Sequence, residues 1–418
     1  MSFANQKNAL VTDQAGNIHS FRWDNEKIIY ACFYKHTKKM EKEILVEACM
    51  PEFDVIIDKK DTIYLTCQQK EGKLLLFIYR LGIWEREVLL SSEGINIYNL
   101  SVISWKDGLY IFYCVPSFES NKVYRIYYLY RKDEIWRNAE LGDIRVKTLL
   151  NPLQVLSTSQ GLILGYYNLV NGAEQLFIKL YDGTLDLWRD TLQVTDGLND
   201  KLYIDILLVE EEELNIVYSE YIDGNLVVKY EKYKMAGNKL IKKSEYELSN
   251  PGNCSYPTLI MFDNMLWTVW TEYDYVASSF SEDNGMTWSV PYQWTESKEG
   301  IFVRYKYCLN PRNSDRSYLL NYSYGKDFPD FTFLGFGSFE KAVEMPLITK
   351  KKREEEVEEI LSIPENQEND LVEVNHEIIE QENLIGIKEK LLELEDRIEQ
   401  IENFINRRRR GFLFPPRE

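Results

Sequence analysis

The feature that most constrains the fold is a repeat of about 52 residues that runs through the first 340 positions. Each copy is a polar turn followed by an apolar, aromatic-rich segment of strand length, as in DTIYLTCQQ, DGLYIFYCV and NMLWTVWTE. The aligned positions are Ile28, Ile63, Leu109, Leu162, Leu214, Leu266 and Tyr318. Their spacings are 35, 46, 53, 52, 52 and 52 residues, which is the regularity that a repeated structural unit produces.

A ladder of aromatic residues has the same period. Trp84, Trp136, Trp188 and Trp288 end the segments GIW, EIW, DLW and MTW, and Leu240 occupies the missing position. Each unit therefore reads as four short antiparallel strands, and radial repetition of such units predicts an all-β fold, a β-propeller over residues 1–345. Seven copies predict seven four-stranded blades, with six blades as the alternative. The short first interval predicts an incomplete first blade, and the segment NALVTD (8–13) is expected to complete the seventh.

One turn of this repeat carries a motif. Ser281-x-Asp283-x-Gly285-x-Thr287-Trp288 combines Asp, which bonds its own backbone, with Gly, which supplies a positive φ, and it ends on an apolar anchor. The motif resembles the Asp-box of the sialidase/BNR-repeat family over eight residues, and the repeat extends the resemblance loosely over some 330. The resemblance implies a β-propeller in which these residues form a structural turn at the rim, far from the central site.

Sialidase-like enzymes clamp a carboxylate with three arginines around the central cavity and use a Tyr nucleophile polarised by a Glu. The matching candidates here are Arg22 in FRWD, Glu220 and Tyr221 in YSEYIDG, and Arg304 in FVRYKY. FRWD lacks the Ile-Pro of the family motif, and the middle blades offer only Arg189, which follows a rim tryptophan. The resemblance therefore implies a member without catalysis, and a sialidase-type exo-glycosidase is the alternative.

Composition limits the other classes of function. The formal charge is −18, and most of the excess lies in residues 351–406, with 18 acidic against 6 basic residues, so a nucleic-acid partner is not expected. Six cysteines are scattered singly and three histidines share no spacing, so no metal site and no cofactor is predicted. No apolar leader or membrane-spanning run is visible, which favours a cytoplasmic location.

The chain changes character after the repeats. Residues 346–376 are predicted to be an acidic linker, and residues 377–406 a coiled-coil helix, because apolar residues recur at alternating intervals of 3 and 4. Its core positions are Leu384, Ile387, Leu391, Leu394, Ile398, Ile401 and Ile405. This pattern predicts a homo-oligomer, with trimer or tetramer left open.

The final segment, 407–418, combines four arginines with an apolar end. Its candidate docking residues are Arg407, Arg408, Arg409, Arg410, Phe412 and Phe414. Such a segment fits a protein partner or an anionic surface. The sequence as a whole predicts a non-catalytic binding or scaffold protein whose propeller recognises a ligand such as a glycan; a structural coat component is a further alternative.

Overall fold

The computed structural model describes residues 3–347 except 93, 119, 121, 133–134, 314–317 and 327–330. This part of the chain forms six β-sheets and two short 3-10 helices, so the predicted all-β class is confirmed. The predicted acidic linker, coiled coil and arginine-rich tail lie outside the described residues.

Four-stranded antiparallel units follow one another along the chain. Sheet 1 begins with β1 (Phe3–Thr12), β2 (Ile18–Asp24), β3 (Lys27–Phe33) and β4 (Met40–Val46). Sheet 2 contains β5 (Cys49–Ile57), β6 (Ile63–Gln69), β7 (Lys73–Arg80) and β8 (Ile83–Ser91). Sheet 3 contains β9 (Tyr98–Trp105), β10 (Gly108–Pro116), β11 (Val123–Lys132) and β12 (Ile135–Arg145). Sheet 4 contains β13 (Gln154–Ser157), β14 (Gly161–Val170), β15 (Ala173–Asp182), β16 (Leu187–Trp188) and β17 (Leu192–Gln193).

The remaining strands complete the other sheets. Sheet 5 contains β18 (Lys201–Glu210), β19 (Glu213–Ile222), β20 (Asn225–Met235) and β21 (Leu240–Glu247). Sheet 6 begins with β22 (Cys254–Phe262), β23 (Met265–Glu272), β24 (Tyr275–Ser281) and β25 (Tyr292–Trp294). A 3-10 helix (Thr295–Lys298) then precedes β26 (Val303–Leu309), β27 (Tyr318–Leu320), β28 (Tyr322–Lys326) and β29 (Thr332–Leu334). A second 3-10 helix (Phe339–Lys341) precedes β30 (Ala342–Glu344).

The sheets are arranged in a ring, because each packs on the next through its own apolar cluster. Phe21 and Ile28 of sheet 1 share a cluster with Leu65 of sheet 2, and similar clusters join every later pair of sheets. The last cluster closes the ring by joining Trp267 of sheet 6 to Tyr324, which lies on β28 of sheet 1. The first strands of consecutive sheets also contact one another. This is a propeller-like arrangement, with the first strand of each sheet innermost.

The prediction of seven separate four-stranded blades is not met by the described strands, which form six sheets. The reason is that β1 pairs on both of its edges, antiparallel with β2 and parallel with β26, so the first and last repeats share one sheet. The last repeat is also divided, because β27 pairs with β22 of sheet 6 while β28 pairs with β26. The topology is therefore nearer to the alternative of six blades. Residues 8–13 were expected to contribute a strand to the last repeat, and Asn8–Thr12 do so by pairing in parallel with β26.

The first repeat is complete, contrary to the expectation of a missing strand. Ile28 lies in β3, the third strand, whereas the aligned residues from Ile63 to Leu266 lie in second strands. The second strand of sheet 1 begins at Ile18, 45 residues before Ile63. The short first interval therefore came from aligning different strands that have the same apolar pattern.

The tryptophan ladder joins neighbouring sheets. Trp188 of sheet 4 packs edge-on against Phe112 and Tyr128 of sheet 3, with centroid distances of 5.9 and 6.0 Å. Trp288, which precedes β25 of sheet 6, likewise packs against Tyr230 of sheet 5 at 4.7 Å. Each of these indoles therefore acts as an apolar wedge between a sheet and the one before it. Within the described residues, no helix is long and apolar enough to cross a membrane.

Candidate functional site

The inner strands surround a cavity of about 660 Å³, a volume typical of small-ligand sites. Its lining comes from the first strands of the sheets, from β26 and β28, and from the connection 147–153 between sheets 3 and 4. The connections between sheets lie at the same end as the turns between second and third strands, because consecutive strands are antiparallel. Tyr221, near such a turn, also lines the cavity. We call this end of the sheets the open face.

Backbone irregularities turn three side chains of the inner strands toward the cavity. Asn99, Tyr203 and Tyr256 line it, and all three have a positive φ, of 52°, 57° and 51°. Each lies at a break in the register between the first and second strands of its sheet. A positive φ costs of order 1–3 kcal/mol for a residue other than glycine and is concentrated at functional sites. Tyr203 and Tyr256 contact each other, with ring centroids 4.1 Å apart.

Among the described residues, Arg304, on β26, is a cation of this site that forms no ion pair, although the buried Asp205 carboxylate is near enough to interact with it. Its guanidinium lies over the ring of Tyr322 at 3.7 Å and near Tyr256 at 5.8 Å. Its Nε is buried without a hydrogen-bond partner, and within the described part of the chain no carboxylate forms an ion pair with it. Because a guanidinium presents a planar fork of donors, this arrangement suits a ligand that carries an anionic group.

Lys306, two residues further along β26, is held differently. Its Nζ donates to both carboxylate oxygens of Asp54 at 2.7 Å, across the junction between sheets 1 and 2. Burial acts to lower the pKa of Lys306, but the nearby Asp54 carboxylate outweighs burial and the pKa is raised. Asp54 also accepts the backbone N–H of Val102 at 2.8 Å. This pair therefore connects sheets 1 and 2 and keeps Lys306 charged.

Asp205 is a hydrogen-bonding centre behind the cavity lining, near Arg304. It is fully buried, and its two oxygens accept bonds from four donors: Gln154 Nε2 at 2.8 Å, Asn321 Nδ2 at 3.0 Å, Thr258 Oγ1 at 2.6 Å and the Leu259 N–H at 2.8 Å. Burial raises the pKa of this carboxyl, while the donors and Arg304 act in the opposite direction. Asp205 thus connects sheets 4, 5 and 6 with the segment between β27 and β28.

The structure does not assemble the three arginines implied by the sialidase resemblance. Arg304 lines the cavity, but Arg22 and Arg189 are not among the lining residues. Arg22 lies on β2, where its guanidinium is 3.7 Å from Asp24. Arg189 follows β16 and forms an ion pair with Asp182. The described residues therefore place one arginine, and not three, at the cavity.

Glu220 and Tyr221 do not form the implied Tyr/Glu pair. The two are neighbours on β19, and successive side chains of a strand point to opposite faces. Tyr221 lines the cavity, whereas the Glu220 carboxylate accepts a bond from Lys201 at 2.7 Å and lies 3.7 Å from Lys229. Burial acts to raise the pKa of Glu220, but Lys201 and Lys229 outweigh it and the pKa is lowered. Glu220 therefore remains a charged structural partner of these lysines.

The Asp-box forms the turn between β24 and β25. Asp283 accepts bonds from Thr287 (N–H and Oγ1, both 2.7 Å), from the Met286 N–H at 3.0 Å and from Ser281 Oγ at 2.8 Å. Burial acts to raise the pKa of Asp283, but these bonds outweigh it and lower the pKa to about 2. Gly285 has φ +86°, and a Cβ there would meet the Tyr230 hydroxyl at 1.8 Å. The motif is thus a tight turn fitted against sheet 5.

Several lining residues were missed in the sequence, although the repeat contained a signal for some of them. Asn99, Asn151, Tyr203 and Tyr256 all line the cavity and are spaced by 52, 52 and 53 residues. Aligning the first strands of the repeat together with the connections before them would have identified this register. The Lys306–Asp54 pair had no such signal, because the two residues lie 252 positions apart. Within the described residues, no group of three or more His, Cys, Asp or Glu side chains is placed to hold a metal ion.

Comparisons with known proteins give limited information. No protein-family model matches the chain and no curated protein matches it, so the sialidase/BNR resemblance stays a prediction. Similar solved structures include AofleA from Arthrobotrys oligospora (11% identity, 71% of this chain and 88% of that chain, TM-score 0.41). They also include the fucose-specific lectin from Aleuria aurantia (11%, 80% and 96%, 0.40) and the WD40 domain of SCAP from fission yeast (10%, 66% and 61%, 0.43). Similarities of this size do not identify a shared ligand or activity.

Proposed function

We propose that this chain is a non-catalytic binding protein of the β-propeller type, whose central cavity takes a carbohydrate with an anionic group. The proposal rests on the Arg304 guanidinium, which belongs to the cavity lining, forms no ion pair within the described residues and is stacked on Tyr322. A buried or half-buried cation is costly unless it is paired, so a ligand anion is its natural complement.

The rest of the lining suits the sugar itself. The rings of Tyr203 and Tyr256 present apolar faces on which the C–H face of a pyranose can stack, and their hydroxyls can bond to sugar hydroxyls. The amides of Asn99 and Asn151 add further polar groups to the lining. Specific small-ligand sites combine apolar surface with convergent polar groups, and this lining contains both.

A glycan array probed with the full-length protein tests this proposal. We expect retention of acidic glycans with no loss of their terminal sugars. Charge-assisted hydrogen bonds contribute roughly 1.5–3 kcal/mol, so Arg304→Met should weaken binding about tenfold to a hundredfold. The affinity of Arg304→Lys should lie between those of the wild type and Arg304→Met, because lysine keeps the charge and lacks the planar fork.

Arg189→Met is the matched control, since it removes a guanidinium that pairs with Asp182 outside the cavity, and it should bind as the wild type does. Trimming of the terminal sugars would favour the sialidase-type exo-glycosidase instead. An array without retained glycans, with all variants folded, would contradict carbohydrate binding.

We further propose that the heptad residues from Leu384 to Ile405 join several chains, and that Arg407–Arg410 with Phe412 and Phe414 dock the assembly onto a partner. Support comes from the alternating 3-and-4 spacing of apolar residues, which is typical of a coiled coil. Joining several copies of a weak binding site in one assembly raises the avidity for a multivalent partner without any new contact. Light scattering should give a mass of several chains for the full-length protein and of one chain after truncation at residue 376; one chain in both cases would contradict the proposal.

A further inference from the structure

The open face carries exposed apolar side chains, of which Leu198, Tyr273 and Ile301 lie outside the lining of the cavity. The exposed side chains are Leu149 (77% exposed), Leu198 (85%), Tyr221 (47%), Tyr273 (67%) and Ile301 (68%). Leu149, Leu198 and Ile301 belong to connections between sheets, Tyr273 to the turn between β23 and β24, and Tyr221 to the end of β19. We call these five residues the loop crest. Exposed apolar groups that recur on one face, rather than singly, mark an interaction surface.

The loops of the crest lie against one another. The Tyr221 N–H donates to the Asp200 carbonyl at 2.9 Å, which joins the turn of Tyr221 to the connection that carries Leu198. The Lys298 ammonium lies 4.9 Å from the ring of Tyr275, which joins the connection of Ile301 to the turn of Tyr273. Lys147 also bonds to Asp200 at 2.8 Å, which brings the connection of Leu149 to the same group. These contacts join Leu149, Leu198 and Tyr221 in one group of loops and Tyr273 and Ile301 in a second. The connection between sheets 5 and 6 links the two groups, because the Leu226 N–H donates to the Gly252 carbonyl at 2.7 Å and Cys254 pairs with Glu272, the neighbour of Tyr273.

Each of four crest loops also carries a carboxylate one or two residues from its apolar side chain. The pairs are Asp196 with Leu198, Tyr221 with Asp223, Tyr273 with Asp274, and Glu299 with Ile301. All four carboxylates are exposed. Within the described part of the chain, none of these four side chains accepts a hydrogen bond or forms an ion pair. The loop crest thus alternates apolar anchors with uncompensated negative charge.

We propose that the loop crest binds a polypeptide segment that combines Lys or Arg residues with aromatic or aliphatic ones. Apolar side chains of the partner would pack on Leu198, Tyr273 and Ile301, and its cations would pair with the carboxylates between them. Aromatic and arginine residues dominate the energetics of such interfaces, and complementary charge fixes their register and speeds association. A bilayer is a poorer occupant, because the same four carboxylates would be repelled by anionic headgroups and would lose hydration near lipid.

Selection from a library of short random peptides displayed on phage tests this inference on the full-length protein. We expect enriched sequences with net positive charge and at least one aromatic or aliphatic anchor. Binding of the synthesised peptides, followed by fluorescence anisotropy, should weaken as ionic strength rises, because exposed charges are screened. Asp223→Asn with Asp274→Asn should weaken binding several-fold, and Tyr273→Ser with Ile301→Ser should abolish it.

The matched control is Leu81→Ser with Leu185→Ser, which removes two exposed leucines from turns between third and fourth strands at the opposite end of the sheets. This control should bind as the wild type does. Four outcomes would overturn the inference: no enrichment over the Tyr273/Ile301 variant, enrichment of acidic peptides, loss of binding in the control alone, or crest-dependent binding to phosphatidylcholine–phosphatidylserine vesicles. None of these substitutions changes Arg304, so the outcome of the peptide selection does not depend on whether the protein binds glycans.

Discussion

Replacement of Asp205 by alanine is expected to lower the free energy of unfolding by about 3 kcal/mol, since it removes four hydrogen bonds to a carboxylate and a buried group left without a partner costs about 1–3 kcal/mol. Gln154, Asn321 and Thr258 each keep a backbone carbonyl as a second acceptor. The Leu259 N–H loses the acceptor that the structure gives it. Entry of water from the cavity offsets part of this cost. Urea denaturation followed by tyrosine and tryptophan fluorescence measures the difference.

Asp107→Ala is the control for this prediction. Asp107 is exposed in the turn between β9 and β10, and exposed substitutions of this kind usually change stability by less than about 0.5 kcal/mol. Equal stability of the Asp205 and Asp107 variants would show that the hydrogen bonds across sheets 4, 5 and 6 contribute little. The junction between these sheets would then depend on apolar packing alone.

Replacement of Trp84 by alanine is the second large effect, and we expect a loss of about 3 kcal/mol, the lower end of the range for large aromatic residues, because the indole is half-buried. Trp84 opens β8 of sheet 2 next to Ile83, and its indole packs against Tyr79 of its own sheet at 4.9 Å. It also contacts Tyr30 and Phe21 of sheet 1 at 5.3 and 6.1 Å. Removal leaves a cavity between two sheets that the surrounding strands cannot fill, because both are fixed by their ladders.

Ile83→Ala provides the comparison for Trp84→Ala, because Ile83 is the preceding residue and is 67% exposed. We expect its unfolding midpoint in urea to stay close to that of the wild type. A similar loss in both variants would mean that β8 as a whole, and not the indole wedge, determines the stability of the junction between sheets 1 and 2.

The parts of the fold that sequence predicts best are those that repeat. The apolar positions from Ile63 to Leu266 lie in second strands, and Trp84, Trp136 and Trp188 open or end fourth strands as the ladder indicates. Errors arise where the repeat is broken. Ile28 lies in a third strand with the same local pattern, and β27 pairs with sheet 6 while β28 continues into sheet 1. The local apolar pattern does not show which strand of a unit a segment forms or which sheet it joins, because the choice between strand pairings depends on contacts distant in sequence.

Some of the residues predicted for the site lie at the cavity and others do not, and the difference has a physical reason. Arg304 came from the family resemblance and lies at the cavity, whereas Arg22 and Glu220 came from the same source and do not. The alternation of side chains along β19 separates Glu220 from Tyr221, and it could have been applied to the sequence. The positive φ of Tyr203 and Tyr256 could not have been predicted from the sequence. A tyrosine does not favour that conformation, and tertiary packing imposes it.

Binding of an anionic glycan group by Arg304 at the cavity is tested most directly by a crystal structure of the protein with the acidic glycan that the array retains most tightly. We expect the anionic group to form hydrogen bonds with the Arg304 guanidinium and the sugar ring to pack against Tyr203 or Tyr256. A glycan bound elsewhere, with no contact to the cavity lining, would contradict this expectation.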